Sequence, residues 1–422
     1  MIRILHLADL HIGSGFTHGK INPETGLNTR LEDFSRSLGL CIDRAIALPV
    51  DLVLFAGDAF PDATPEPYVQ KAFAQQFKRL ADAQIPTILL AGNHDQHAQG
   101  NGGTSLSIYR TLEIPGLIVA EKITTHCIST SQGEVQVITI PWLTNAILFT
   151  RSETEGLSAW EVDQKMIQRL TEVLEGEIRK LDPSLPTVLL AHLMADRANV
   201  GGERFLAVAK VFTIPISLLL RPEIDYIALG HVHKHQNLNP HNNPPAIYPG
   251  SIERVDFSEE KEEKGYVLVE LARGEAKWEF CPLPARPFRT IEVDVSKSPE
   301  PEQKLLSAIA KYNITDTVVR LVYKMRREQI EEISTGKIAK ALQSAHQFTI
   351  CPELVSPSTL PRIPEFKISN SLDPLQALTT YIDKCEHLQD IATEMIEAAK
   401  LLLNGDFEEI TVSKKRKQLK LL

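Results

Sequence analysis

The chain has only five cysteines, Cys41, Cys127, Cys281, Cys351 and Cys385, widely separated and without a CxxC pair. This spacing speaks against a disulfide framework and a thiolate zinc site. No apolar run reaches the length of a membrane span. The opening MIRILHLADLH reads as a strand running into polar residues, without the long apolar core of a signal peptide. A cytoplasmic protein without membrane association is the expectation. An excess of positive charge is missing too: 45 Lys and Arg against 54 Asp and Glu give a formal net charge of −9. That removes a global nucleic-acid-binding signature, while a local basic surface or metal ions in an acidic site can still engage a polyanion.

What remains is globular. With 422 residues, 43% of them hydrophobic and 23% charged, the chain has length for two or three domains and a sizeable core. From residue 1 to about 280, short leucine-rich or β-branched runs alternate with polar or glycine-containing turns and helical patterns: IRILHLAD, VDLVLFAGD, PTILLAGNHD, TVLLAHL and IDYIALGHVH. Continuous apolar runs predict strands buried on both faces. Leu31, Phe34, Leu38, Cys41, Ile42 and Ala45 predict a helix between the first two. The grammar is that of an α/β fold, whose functional groups gather on loops beyond the strand ends.

The proline-rich CPLPARPF predicts a boundary after residues 1–280. A small α+β domain is expected over 288–356, then a second proline-rich connector and a helical segment with a basic tail over 371–422. Asp373 and Pro374 form a helix-start signal, and a single helix is expected from 374 to 403. Its apolar stripe, Leu375, Leu378, Ile382, Cys385, Leu388, Ile391 and Met395, packs either on its own protein or on a partner chain. The tail SKKRKQLKLL is by default solvated, with contact to phosphate or an acidic partner as the sharper reading. SEEKEEK, residues 258–264, reads as a solvated loop. Arg30 and Arg254 are expected in ordinary ion pairs, with contact to phosphate as the alternative.

Five strand ends deliver side chains suited to metals: Asp9 with His11, Asp58, Asn93 followed by His94 and Asp95, His192, and His231 with His233. A lone Asp after Gly is usually a turn residue, and a lone His at a strand end is usually structural. Five such ends in one chain are much harder to reach by accident.

The pattern DLH, GD, GNHD, AHLM and GHVH resembles the calcineurin-like metallophosphoesterase superfamily. Within it the chain is most similar to the SbcD family of DNA repair nucleases, a likeness extended by YPGSIERVDFSEEKEEKGY at residues 248–266 and by the small domain and helical tail. The resemblance implies two packed sheets flanked by helices, followed by a small α+β capping domain and a C-terminal helical segment. It implies two divalent metals, manganese by family: Asp9, His11 and His233 on one, Asn93, His192 and His231 on the other, Asp58 bridging. His231 and His233 would then serve different ions. His94 would stabilise phosphoryl oxygens or protonate the leaving oxygen, with Asp95 orienting its ring. The histidine that some relatives carry three residues after the bridging aspartate is Pro61 here. The implied activity is DNA exonuclease and endonuclease action in repair and recombination, with an SbcC-like ATPase docked on residues 374–403 and a homodimer formed through the phosphoesterase domain. The alternatives are a phosphatase or cyclic-nucleotide phosphodiesterase of the same superfamily, or a scaffold without catalysis. The complete ligand set speaks against the last.

Overall fold

The structure is a computed structural model that describes residues 1–97, 103–144, 149, 156–199, 212–240, 242–355, 374–383, 388 and 391–404. Its expected strands are present. IRILHL, LVLF, TILL, TVLLAH and YIALG become Ile2–Leu7, Leu52–Phe55, Thr87–Leu90, Thr187–His192 and Tyr226–Gly230, almost wholly buried. They fall into two six-stranded sheets. One sheet runs Glu275–Pro282, Gly265–Ala272, Ile2–Leu7, Leu52–Phe55, Thr87–Leu90, Leu117–Ala120. The other runs Gln236–Asn237, Ala246–Tyr248, Tyr226–Gly230, Thr187–His192, Gly133–Ile140, Thr124–Thr130.

Strand alternation builds the layers. Ile2, Ile4 and Ala8 join Leu54, Val188, Leu190 and Ala228 in the core shared by both sheets. Leu5 and Leu7 face the other way, beneath the helices Thr29–Ala47 and Pro67–Asp82. Period-2 geometry sends successive side chains to opposite faces, so a strand covered on both sides has to be apolar throughout. Asn28 caps the first helix by accepting from the Arg30 N–H at 2.9 Å. On the second sheet, the helix Ala159–Ile178 starts with a Ser158–Glu161 capping box and buries Met166, Leu170 and Leu174. The fold is thus mixed α/β, two sheets flanked by helices.

His6 lies between the sheets. Its ring reaches the Tyr226 hydroxyl at 3.0 Å and the Leu229 carbonyl at 3.2 Å, and burial lowers its pKa to about 3, so the imidazole is neutral.

After Pro282 the chain forms a three-stranded sheet of Phe288–Asp294, Val318–Met325 and Gln347–Leu354, with the helices Pro301–Ile309 and Thr335–Ala341. This sheet belongs to one compact unit, Met1–Glu353. Arg286 clasps Asp33 with two hydrogen bonds, at 2.6 and 2.7 Å, and Phe257 packs with Phe288 and Val318. Arg30 pairs with the same Asp33 at 2.7 Å, while Arg254 donates to the carbonyls of Glu259, Glu262, Ala285 and Arg286. Arg30 is in an ion pair as expected, whereas the Arg254 guanidinium serves backbone carbonyls instead of a carboxylate.

The second unit is Leu354–Leu422. The single helix expected over 374–403 is two, Pro374–Asp383 and Ala392–Asn404, and they contact each other. A continuous helix could not bring those segments together at 1.5 Å rise per residue. Asp373, Cys385 and the basic tail lie outside the described residues, as does most of the second proline-rich connector.

Candidate metal centre

Parallel pairing carries the chemistry-bearing residues to one edge of the molecule. Ile2–Leu7, Leu52–Phe55 and Thr87–Leu90 run parallel as neighbours, so Asp9, Asp58 and Asn93 leave their strands at the same end. In the second sheet Gly230 lies opposite His192. The two sheets close on each other at this end: the Trp142 N–H donates to the Ala91 carbonyl at 3.1 Å, and His192 Nδ1 donates to the Ala56 carbonyl at 2.6 Å. Gly230 has to be glycine here, because a Cβ would sit 2.0 Å from the Ala56 oxygen.

Turning the side chains inward requires unusual backbone. Asp9, His11, Asp58 and His231 have φ of 51°, 42°, 61° and 105°. Left-handed conformations in non-glycine residues are costly and gather where function imposes them.

The seven sequence-picked ligand candidates converge as two clusters. In one, Asp9, His11 and His233 bring donor atoms within 4.8 Å of one another, with His11 Nε2 and His233 Nε2 3.0 Å apart. In the other, Asp58, His192 and His231 do so, and the Asn93 Oδ1 lies 3.0 Å from His192 Nε2 and 2.9 Å from His231 Nδ1. Asp58 Oδ2 stands between the clusters, 3.5 Å from His11 Nε2 and 3.4 Å from His192 Nε2. His231 and His233, two residues apart, do go to different clusters.

The donor set suits cations. His192 spends its Nδ1–H on a carbonyl, so in the neutral ring the Nε2 lone pair faces two more acceptors, Asn93 Oδ1 and Asp58 Oδ2. A proton relieves this crowding in part; a divalent cation among these atoms relieves it fully. The titration pattern reports the same demand. Burial would lower the His192 pKa, yet the charge and hydrogen bond of Asp58 raise it to about 9. Burial would raise Asp58, but His192, His11 and His94 pull it well below the carboxylate range. Burial lifts Asp9 to about 6; it lowers His231 to about 3 and His11 well below its usual value. Oxygen and imidazole nitrogen ligands with no thiolate fit divalent first-row metals or zinc.

Three features differ from the sequence reading or were missed by it. First, Asp95 does not orient His94. Its carboxylate accepts from the N–H groups of Asp58, Ala59 and Gly92 at 2.9–3.1 Å and from the Ser105 hydroxyl at 3.0 Å. Those four donors use up the carboxylate, and the ring is held instead by the Pro61 carbonyl, 2.7 Å from His94 Nδ1. Second, residues 258–264 are not simply a solvated loop: Glu259 is 2% and Lys264 1% exposed, and Glu259 Oε1 lies 2.6 Å from His233 Nδ1. Third, the half-buried Trp142 packs on His231 with ring centroids 4.9 Å apart, and on His192 at 6.0 Å. Its signal was available, since PWL follows the apolar VITI just as the other site residues follow their strands.

A mixed donor set of this kind, shared between two clusters by one carboxylate, defines a dimetal phosphoesterase class of site. Residues 2–235 match the model of the calcineurin-like phosphoesterase family. The chain belongs to that family and is a hydrolase of its kind. Among solved structures, TT1561 of Thermus thermophilus is 15% identical with a TM-score of 0.39, the match covering 66% of this chain and 98% of that one. A dimetal phosphatase from Danio rerio is 12% identical with a TM-score of 0.38, covering 66% of this chain and 99% of its own. The sulfate thiohydrolase SoxB of Thermus thermophilus is 14% identical with a TM-score of 0.34, covering 74% and 60% respectively.

Proposed function

We propose that this phosphoesterase is a DNA nuclease of the SbcD kind, exonucleolytic on duplex ends and endonucleolytic on single strands or hairpins. Its resident ions are manganese. It works in repair and recombination as a homodimer, with an SbcC-like ATPase docked on residues 374–403. Support beyond phosphoester hydrolysis comes chiefly from the segment at residues 248–266, which is similar to the closing segment of SbcD phosphoesterase domains. In this chain it reaches the metal centre through Glu259 and the small domain through Phe257.

Two divalent cations bound there supply charge neutralisation at phosphorus and activation of a water. Asp9, His11 and His233 would hold one and Asn93, His192 and His231 the other, with Asp58, whose Oδ2 stands between the clusters, serving both. His94 keeps Nδ1–H on the Pro61 carbonyl, which fixes the ring and leaves Nε2 for the substrate. A protonated Nε2 donates to a phosphoryl oxygen or gives its proton to the leaving oxygen.

The test is incubation of the purified chain with manganese and blunt duplex, single-stranded or hairpin DNA, beside an Asp58→Asn control. DNA loss in the wild type alone supports the nuclease. Intact DNA of all three kinds, with a small phosphodiester cleaved by the wild type, keeps the hydrolase and means that either the DNA substrate is wrong or the ATPase is required for cutting.

A further inference from the structure

His233 differs from His192 and His94 in what holds its far nitrogen. His192 and His94 give Nδ1–H to neutral carbonyls, of Ala56 and Pro61. His233 gives its own to a carboxylate, Glu259 Oε1, at 2.6 Å. The carboxylate is itself fixed. Glu259 Oε2 accepts from Lys264 Nζ at 2.8 Å and from the Val255 N–H at 3.0 Å. Lys264 Nζ also donates to the His233 carbonyl at 3.2 Å and to Glu262 Oε2 at 2.8 Å. A ring of contacts therefore runs from the His233 backbone through the ammonium and the carboxylate back to the His233 imidazole, all of it buried.

We propose that Glu259, braced by Lys264, is a positioning residue that sets the tautomer and donor strength of His233 and so governs cation affinity at the Asp9, His11 and His233 cluster. A buried ion pair contributes little net stability compared with apolar residues of the same shape, because desolvation offsets the attraction. An apolar residue, however, cannot accept the Nδ1–H. Acceptance by a carboxylate commits the Nε2 lone pair to the cluster and makes the imidazole a more basic ligand, and losing such a partner typically weakens metal affinity by about 10–100-fold. Among the described residues only the Asp9, His11 and His233 cluster has a carboxylate behind one of its histidines, so the two cation sites are unequal and one depends on Glu259.

The inference rests on the reading that both clusters bind cations, and the experiment separates the two. Manganese alone is titrated by calorimetry into the full chain, freed of metal, as wild type, Glu259→Gln, Glu259→Ala and the Glu259→Gln/Lys264→Met pair, with urea unfolding of each in chelator. The expected result is two sites in the wild type, with one weakened by about 10–100-fold in Glu259→Ala. Glu259→Gln, which keeps an acceptor but not the charge, should fall between, and the second site should hold its affinity. A wild type that binds no manganese overturns the cation reading itself. Two wild-type sites left unchanged in every variant, or weakened equally in step with lost stability in chelator, overturn the role of Glu259 alone. The Gln/Met pair removes both charges together, so a folding defect from an orphaned Lys264 is recognised.

Discussion

The backbone N–H of His94 donates to Asp58 Oδ1 at 2.9 Å, while Oδ2 of the same carboxylate faces His11 and His192. One loop therefore supplies the candidate proton donor and also anchors the carboxylate between the clusters. Disturbing the loop should affect both.

Gly92 opens that loop, and a Cβ there would lie 2.1 Å from Asp58 Oδ1 and 2.5 Å from the Asp58 nitrogen. Gly92→Ala should displace the bridging carboxylate and reduce bound manganese below two ions per chain, with hydrolysis falling at least about 100-fold. Metal analysis after desalting checks this. Two tightly held ions in the variant would show that the loop absorbs the methyl group.

His94→Gln should lower kcat by about 10²–10⁴ while bound metal stays at the wild-type level, because its assigned work is on the substrate. Steady-state kinetics beside metal analysis gives the answer. Loss of an ion would make His94 a ligand.

Asp95→Asn replaces two acceptor oxygens, which serve four donors, by one oxygen and an amide that must point at N–H groups. Leaving a buried donor unpaired costs about 1–3 kcal/mol. The variant should lose about that much unfolding free energy in chelator, measured by urea denaturation. Wild-type stability there would mean that water or a loop shift serves the donors.

Asp33 gives a pH signature. Burial would raise its carboxyl, but the Arg286 hydrogen bonds and the charges of Arg30 and Arg36 outweigh burial and hold its pKa below the usual range. A depressed folded value contributes stability that is present above the unfolded aspartate pKa of about 3.9 and is lost as pH falls through the folded value. Asp33→Asn should therefore cost about 3 kcal/mol at pH 7, as for breaking a buried pair, and the gap to wild type should narrow below about pH 4. Urea midpoints from pH 7 to pH 3 test it. A gap independent of pH would assign the loss to packing.

The strands and helices around the site were legible because they obey local rules: apolar runs of four to eight residues, helical spacing, caps and turn glycines. The ligand candidates were legible because each follows its strand directly, and a parallel sheet delivers successive strand ends to one edge. Sequence alone also assigned His231 and His233 to different clusters, through the resemblance it carries. Tertiary structure decided what depends on distant partners. Glu259 stands 26 residues from His233, in a charged run whose residue types favour solvent, and is drawn inward by an imidazole and by Lys264. Pro61 stands 33 residues from His94, and its carbonyl carries no residue-type signal. Asp95 adjoins His94 in sequence but spends its carboxylate on the backbone of Asp58 and Ala59, about 37 residues back. Hydrogen-bond valence and burial govern these choices. Both are properties of the packed chain, so no local pattern of residues encodes them.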